Sequence, residues 1–185
     1  MPNLCFEHWI LGHLPWRLLA YRTISLVSIL SIAIFVFLIE MHTNVLNPLQ
    51  PAVITLLLLS YPAYAVTFDD VASLQYTFKI ALFYLGCFLA VTTIDNSDAA
   101  DVAIFALSVV LFFVASNANS LLVYIWEFLL FYAWLVHASL PDGFGSYETT
   151  KIVLMAILPI LYWLMKETLA PRHGYYKKPI LRQMK

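Results

Sequence analysis

The chain has 185 residues, of which 62% are hydrophobic and 11% are charged, and its mean hydropathy is +0.83. Soluble domains carry roughly 25% charged residues, so this composition excludes an ordinary water-soluble core and favours an integral membrane protein. The net charge of -1 at pH 7 provides no basic field that would attract nucleic acid. The two cysteines, Cys5 and Cys87, form neither a disulfide framework nor a metal-ligand set.

Residues 1–22 differ in pattern from everything that follows them. Apolar side chains such as Trp9 and Trp16 alternate there with His8, His13 and Arg17. Tryptophan together with basic residues is typical of a helix that lies in the headgroup layer of a membrane. We therefore predict an interfacial amphipathic segment over residues 1–22, with a docking arm for a partner as the alternative.

Six apolar runs follow, and they predict an all-α bundle of about six short transmembrane helices over residues 23–168. Each run has roughly 15–19 residues, at the short end of the ~17–25 that cross a ~30 Å hydrocarbon core. Backbone groups in lipid must bond within their own segment, so runs without polar alternation are expected to be helices. The predicted spans are residues 23–39, 51–67, 77–94, 102–116, 121–139 and 151–166.

The distribution of Lys and Arg predicts how these spans are oriented. With six spans, nine basic residues fall on the side of the two termini, and only Lys151 falls on the opposite side. The positive-inside rule then places both termini on the cytoplasmic side of a bacterial inner membrane, or on the matrix or stromal side of an organellar inner membrane. Residues 169–185 form a basic tail that we expect to meet anionic lipid or a partner protein.

Few small residues are available for close helix contacts. The chain has five glycines and no GxxxG pair, so we expect packing through Ala, Ser and aromatic side chains. Pro62 and Pro159 lie inside the second and sixth predicted spans, where proline removes a backbone hydrogen bond and kinks the helix.

Glu127 is the sharpest candidate for a functional residue. It lies within the fifth run, LLVYIWEFLLFYAWLVH, about 10 Å from the start of the helix. A charge at the middle of a bilayer costs about 2.5–3.5 kcal/mol, so such a residue needs a partner. Lys79 on the third run is expected at a similar depth, and Tyr124 is a helical neighbour, so we predict a polar pair of Glu127 with Lys79 beside Tyr124. The pair is either a tie between helices or part of a proton or cation relay.

Two further groups of polar residues are weaker candidates. Asp95, Asp98 and Asp101 have helical spacing and form a weak candidate cation site, although Asp101 is more simply the N-cap of a helix that begins at Val102. His42 and His137 end the first and fifth runs, but at the membrane edge they are expected to be ordinary interfacial histidines and not haem ligands. We predict no metal and no cofactor, and we expect lipid to be bound at the surface of the bundle.

One region of the chain resembles a known family of transporters. From Arg22 to about Val91 it is similar to the membrane half of fusaric-acid-resistance-type exporters, which pair an Arg-led first span with a Pro-containing turn and a second apolar run. The matching pieces are Arg22 and NPLQPAVITLLLLSYP, and they cover less than half of the chain. At the third span YTFK, residues 76–79, stands where the family leads us to expect an Arg–Gly–Thr pattern.

The motifs of common enzymes are missing from this sequence. It has no P-loop, no GxGxxG, no GxSxG, no HExxH and no CxxC, so an enzyme is the least supported class. We expect a non-catalytic structural or accessory subunit of a larger membrane protein assembly. The alternative is a small oligomeric transporter or channel that uses Glu127 for proton or ion coupling. The expected partners are membrane lipid and other membrane subunits or further copies of the chain, and not nucleic acid.

Overall fold

The computed structural model describes residues 17–43, 49–60, 74–94, 98–116, 121–140 and 145–169. Within these ranges the chain forms six α-helices and no strand, which confirms the all-α fold class. The helices are α1 (Arg17–Thr43), α2 (Leu49–Leu59), α3 (Leu74–Thr92), α4 (Ala99–Ala115), α5 (Leu121–Ser139) and α6 (Ser146–Leu169).

Five of the six helices start before the predicted spans, and three of these differences bear on the predictions. α1 begins at Arg17 and continues unbroken from residues assigned to the interfacial segment, whose residues 1–16 lie outside the described ranges. α4 begins at Ala99 with Asp98 as its N-cap, so the predicted N-cap Asp101 is wrong. Asp101 lies in the first turn instead, where a carboxylate is stabilised by the partial positive charge of the helix N-terminus. α6 begins at Ser146, five residues before the predicted start.

Two helices are long and apolar enough to cross a membrane by length and composition. They are Leu19–Thr43, with a mean hydropathy of 2.5, and Ser146–Met165, with a mean hydropathy of 1.4. Only 33% and 28% of their apolar stretches are buried, whereas the core helix of a soluble protein is mostly buried. The shorter apolar helices are Leu49–Leu59, Tyr76–Thr92, Ala99–Ala115 and Val123–Ser139. Two such helices do not establish six crossings, so the six-span arrangement stays a prediction.

α3 is the central helix of the described bundle. It packs on α1 and on α4, while α1 also contacts α2 and α5 packs chiefly on α6. Phe83 of α3, Phe112 of α4 and Phe128 of α5 meet at the centre, with ring centroids 5.4 Å apart for Phe83 and Phe112 and 5.6 Å apart for Phe112 and Phe128. Tilted rings at these separations are a favoured aromatic geometry, so the expected packing through aromatic shape is present at the core.

One glycine does allow a close contact between helices, which the scarcity of glycine had not suggested. A Cβ atom placed on Gly86 of α3 would lie 3.1 Å from the Phe112 ring of α4. The Ser108 hydroxyl of α4 donates a hydrogen bond of 2.8 Å to the Gly86 carbonyl. Because Gly86 has no side chain, the ring of Phe112 packs directly on the α3 backbone.

The outside of the bundle is apolar on every described helix. Large exposed side chains include Leu30 on α1, Leu56 on α2, Val110 on α4, Leu130 on α5 and Leu161 on α6. Contiguous apolar surface on this scale is rare on soluble monomers and marks contact with lipid or with other protein. α6 also contains Pro159, as the sequence shows, and Pro62 lies outside the described residues.

The Gly86 contact leads to a prediction about stability. Gly86→Val places methyl groups against the Phe112 ring and should destabilise the fold by about 1–3 kcal/mol, as overpacking of a core does. Thermal unfolding of the purified protein measures this as a lower midpoint. Gly145→Ala is the control, because no heavy atom lies within 4 Å of the added Cβ. Equal midpoints for Gly86→Val and the wild type would contradict close packing of α3 on α4.

Candidate functional site

A buried ion pair lies in the first turns of α6. Lys151 Nζ is 2.7 Å from Glu148 Oε1, and their side chains are 1% and 5% exposed. The two residues are three apart on the helix, so they lie on the same face. Burying either charge alone is expensive, and the pair persists only if further hydrogen bonds satisfy the remaining polar atoms.

Two other helices provide those hydrogen bonds. Lys151 Nζ donates to the carbonyl of Thr93, just after the end of α3, at 2.5 Å. Tyr132 of α5 donates its hydroxyl proton to Glu148 Oε2 at 2.9 Å, so each oxygen of the carboxylate accepts a bond. We call Thr93, Tyr132, Glu148 and Lys151 the Lys151 network. It ties α3, α5 and α6 together through charged and polar atoms.

Aromatic rings enclose the ammonium group of Lys151. Nζ lies 4.2 Å from the centroid of the Tyr147 ring and 5.8 Å from that of the Phe105 ring on α4. A cation over an aromatic face is attracted by the electron density of the ring, and the attraction is stronger without water. The Thr93 hydroxyl donates to the Ala90 carbonyl of its own helix at 2.8 Å. The arrangement is therefore a closed structural tie.

The sequence does not predict this network, because the predicted spans 121–139 and 151–166 leave Glu148 in the connection between them. Lys151 is then a single cation on the side opposite the termini. Two signals pointed to the pair: an acid and a base at helical i, i+3 spacing, and a single cation isolated from the nine others. The contribution of Thr93 could not be inferred from the local sequence around Lys151, since 58 positions separate the two residues.

A second polar site is a groove between α1 and α5, with α3 as its floor. Its volume is about 290 Å³. The lining comprises Val36, Ile39 and Glu40 of α1, Phe83, Tyr84 and Cys87 of α3, and Tyr124, Glu127, Phe128 and Phe131 of α5. We call it the Glu40–Glu127 groove, because each wall contributes one carboxylate to an otherwise aromatic and apolar surface.

The two carboxylates of the groove differ in their surroundings. Glu127 is exposed, and within the described ranges no hydrogen bond or ion pair joins it to another residue. Glu40 is half-buried, and its Oε2 atom is inaccessible and has no hydrogen-bond partner among the described residues. A buried acceptor without a donor costs about 1–3 kcal/mol, so Glu40 is a strained feature of the bundle.

Of the residues predicted to form a polar pair, the structure places Tyr124 beside Glu127 but does not show Lys79 in the groove. Tyr124 lines the groove with Glu127, as the helical spacing predicts. Lys79 is half-buried on α3, and in the part of the chain that the structure describes it makes no ion pair with Glu127. The pairing and its role stay predictions.

The aspartates and histidines of the weaker candidates lie at helix ends. Asp98 caps α4 without a side-chain hydrogen bond, Asp101 is half-buried in the first turn, and Asp95 lies outside the described residues. His42 and His137 are both exposed, in the last turns of α1 and α5. Across the described segments no group of three metal-ligating side chains comes together.

No family model, curated protein or solved structure matches this chain. The similarity of the region from Arg22 to Val91 to the exporter family therefore stays a resemblance, and functional inference depends on the geometry.

The Lys151 network leads to a second prediction. Lys151→Met removes one partner of a buried pair and leaves Glu148 charged and uncompensated, which should destabilise the protein by about 3–5 kcal/mol. Thermal or denaturant unfolding of the purified protein checks this. Thr150→Ala is the matched control, because Thr150 is the exposed neighbour of Lys151 and bonds only to the Ser146 carbonyl.

A double variant separates the charge from the loss of packing. Glu148→Gln removes the uncompensated charge and keeps an oxygen that accepts from Tyr132. Lys151→Met combined with Glu148→Gln should therefore recover more than half of the stability lost in Lys151→Met. An additive loss in the double variant would show that the two side chains do not interact.

Proposed function

We propose that the protein lies in a membrane through its apolar helices and that it is a non-catalytic structural or accessory subunit of a larger membrane assembly. The observation that carries this proposal is the composition of one outward surface of α5. Val123, Trp126, Leu130 and Trp134 are all exposed, and Leu130 is 74% exposed. We call these four residues the Trp126–Trp134 face.

Any helix exposes residues that are three and four positions apart, so the spacing of these four residues does not indicate an interface. Their residue types do. Tryptophan is enriched among the residues that dominate the binding energy of protein interfaces, and it anchors best when it is surrounded by apolar contacts. Two exposed tryptophans two turns apart, with Leu130 between them, form such an anchor pair. Lipid alone would not require this concentration of aromatic area on one helix.

The Lys151 network supports the proposed orientation. The positive-inside rule counts Lys and Arg in short loops and near the ends of spans. Lys151 is 1% exposed and is paired with Glu148, so it adds little positive charge to the side opposite the termini. In a six-span arrangement the nine other basic residues fall on the side of the termini, which favours cytoplasmic, matrix or stromal termini.

The internal polar chemistry also favours a structural role. Among the described residues, the buried Lys151 and Glu148 side chains are bonded to each other, to the Thr93 carbonyl and to the Tyr132 hydroxyl. A catalytic pair needs an open position for substrate, whereas these groups satisfy one another. The enzyme class gains no support from this arrangement.

The subunit proposal predicts a heteromeric particle that depends on the Trp126–Trp134 face. Extraction of native membranes in mild detergent, followed by sizing and mass analysis, should show the chain in a particle with other polypeptides. Trp134→Ala should weaken that association by more than tenfold, as a hot-spot truncation does.

Trp163→Ala on α6 is the matched control, because Trp163 is similarly exposed and belongs to another helix. A clean homo-oligomer would contradict the subunit proposal. Equal effects of the two tryptophan variants would remove α5 as the docking helix.

A small oligomeric transporter or channel is the second candidate, and the Glu40–Glu127 groove favours it. Carboxylates on facing walls of one groove form the kind of arrangement that membrane carriers use for ions. Under this candidate, Glu127 is the coupling group.

Proton flux into proteoliposomes under an imposed pH gradient tests this candidate. Glu127→Gln should abolish the flux while folding stays intact, because the amide cannot exchange a proton. Asp98→Asn, an exposed acid outside the groove, serves as the control. Unchanged flux in Glu127→Gln would remove Glu127 from the mechanism.

A further inference from the structure

Glu127 lies on the exposed side of α5, beside the Trp126–Trp134 face. Within the described ranges no hydrogen bond or ion pair joins it to another residue. We propose that a helix of another subunit packs along this side of α5 and brings a lysine or arginine side chain to Glu127. The inference rests on the proposed subunit function and adds the charge that the partner must carry.

The neighbours of Glu127 on α5 belong to the Trp126–Trp134 face. Glu127 lies four residues after Val123, three before Leu130 and seven before Trp134, and such spacings place residues on one side of a helix. All three neighbours are exposed apolar side chains. The carboxylate is therefore set in apolar surface that a partner helix can cover.

In a membrane, the position of Glu127 along α5 is well inside the apolar layer. It lies six residues after Leu121 and twelve before Ser139, so about 9 Å and 18 Å of helix separate it from the two ends. Lysine and arginine reach the headgroup layer with their long side chains, whereas glutamate has a shorter one. An outward carboxylate at this depth is costly in lipid and is stabilised by a partner of opposite charge.

The described bundle does not provide that opposite charge. Lys79 is half-buried on α3 and, in the segments that the structure describes, forms no ion pair with Glu127. The ammonium group of Lys151 is already held by Glu148. Cationic lipid headgroups stay in the interfacial layer, whereas a helix can present lysine or arginine at the depth of Glu127. Charge complementarity therefore selects a basic side chain on a partner helix.

Aromatic packing fixes the surface next to Glu127. Phe131 stacks on Trp134 with ring centroids 6.1 Å apart, and the buried Phe128 lies 6.4 Å from Phe131. This row of rings connects the exposed Trp134 to the core of the bundle. A surface that is ordered before binding loses little conformational entropy when a partner covers it, and its apolar contacts exclude water from the ion pair.

Dissociation of the purified particle on dilution in mild detergent, followed by sizing, tests the inference on the full-length protein. Glu127→Gln should weaken association by about tenfold or more, because the amide removes one charge of the pair. Glu127→Lys should weaken it by about hundredfold, because it sets two like charges against each other. Asp98→Asn and Asp98→Lys are the matched controls at an exposed acid of another helix, and both should associate like the wild type.

A charge exchange identifies the residue that pairs with Glu127. Mass analysis of the particle gives its polypeptides, and each lysine or arginine within their apolar spans is changed to glutamate. One of these changes should weaken association by itself and should restore it when combined with Glu127→Lys. An unchanged unfolding midpoint of the purified chain shows that the Glu127 variants are folded.

The inference is overturned if the folded Glu127 variants associate as the wild type does, if no partner has a basic residue within an apolar span, or if no charge exchange restores association. Each of these results leaves the subunit proposal standing, provided that a heteromeric particle is present and that Trp134→Ala weakens it. A homo-oligomer without other polypeptides would instead contradict the subunit proposal, and the inference with it.

Discussion

The pair of Lys151 and Glu148 is the constraint on which the arrangement of α3, α5 and α6 depends. Taking two charges out of water costs several kcal/mol for each ion, so the pair is stable only where every strong polar atom has a partner. Thr93 and Tyr132 provide these partners from two other helices. The end of α3, the second half of α5 and the start of α6 must therefore converge at one point, which limits how α6 can pack on the rest of the bundle. In a chain with 11% charged residues, this one buried pair does more to specify geometry than any other charged group described.

Packing between α3 and α4 has a different origin. Gly86 allows the ring of Phe112 to lie against the α3 backbone, and Ser108 bonds to the Gly86 carbonyl. The aromatic cluster of Phe83, Phe112 and Phe128 then fills the space between α3, α4 and α5. α1 packs on α3, whereas α5 packs chiefly on α6. The walls formed by α1 and α5 face each other across α3, and the Glu40–Glu127 groove is the space that this arrangement leaves.

The carboxylates of the bundle differ in their surroundings, and these surroundings determine what each one can do. Glu148 is buried, accepts bonds on both oxygens and acts as a tie. Glu127 is exposed at the edge of a groove, and one oxygen of Glu40 on another wall is inaccessible and lacks a hydrogen-bond partner among the described residues. The Trp126–Trp134 face adjoins the groove on α5, because Phe131 of the groove stacks on Trp134 with ring centroids 6.1 Å apart.

By itself the sequence determined the helical class and the approximate positions of six helices. Apolar runs without alternation leave the backbone only the hydrogen bonds of its own segment, and these bonds join residues four positions apart. Helix starts were less well determined, because Asp98 and Asp101 are both good residues for the first turn and only the bond from the Val102 amide to the Asp98 carbonyl distinguishes them. The tertiary structure alone decided which acids are buried and paired. Lys151 meets Thr93 across 58 positions and Tyr132 meets Glu148 across 16, and such contacts follow from how whole helices pack and not from local pattern. For the same reason the sequence singled out Glu127 by its apolar neighbours, whereas packing left it at the surface and buried Glu148 in its place.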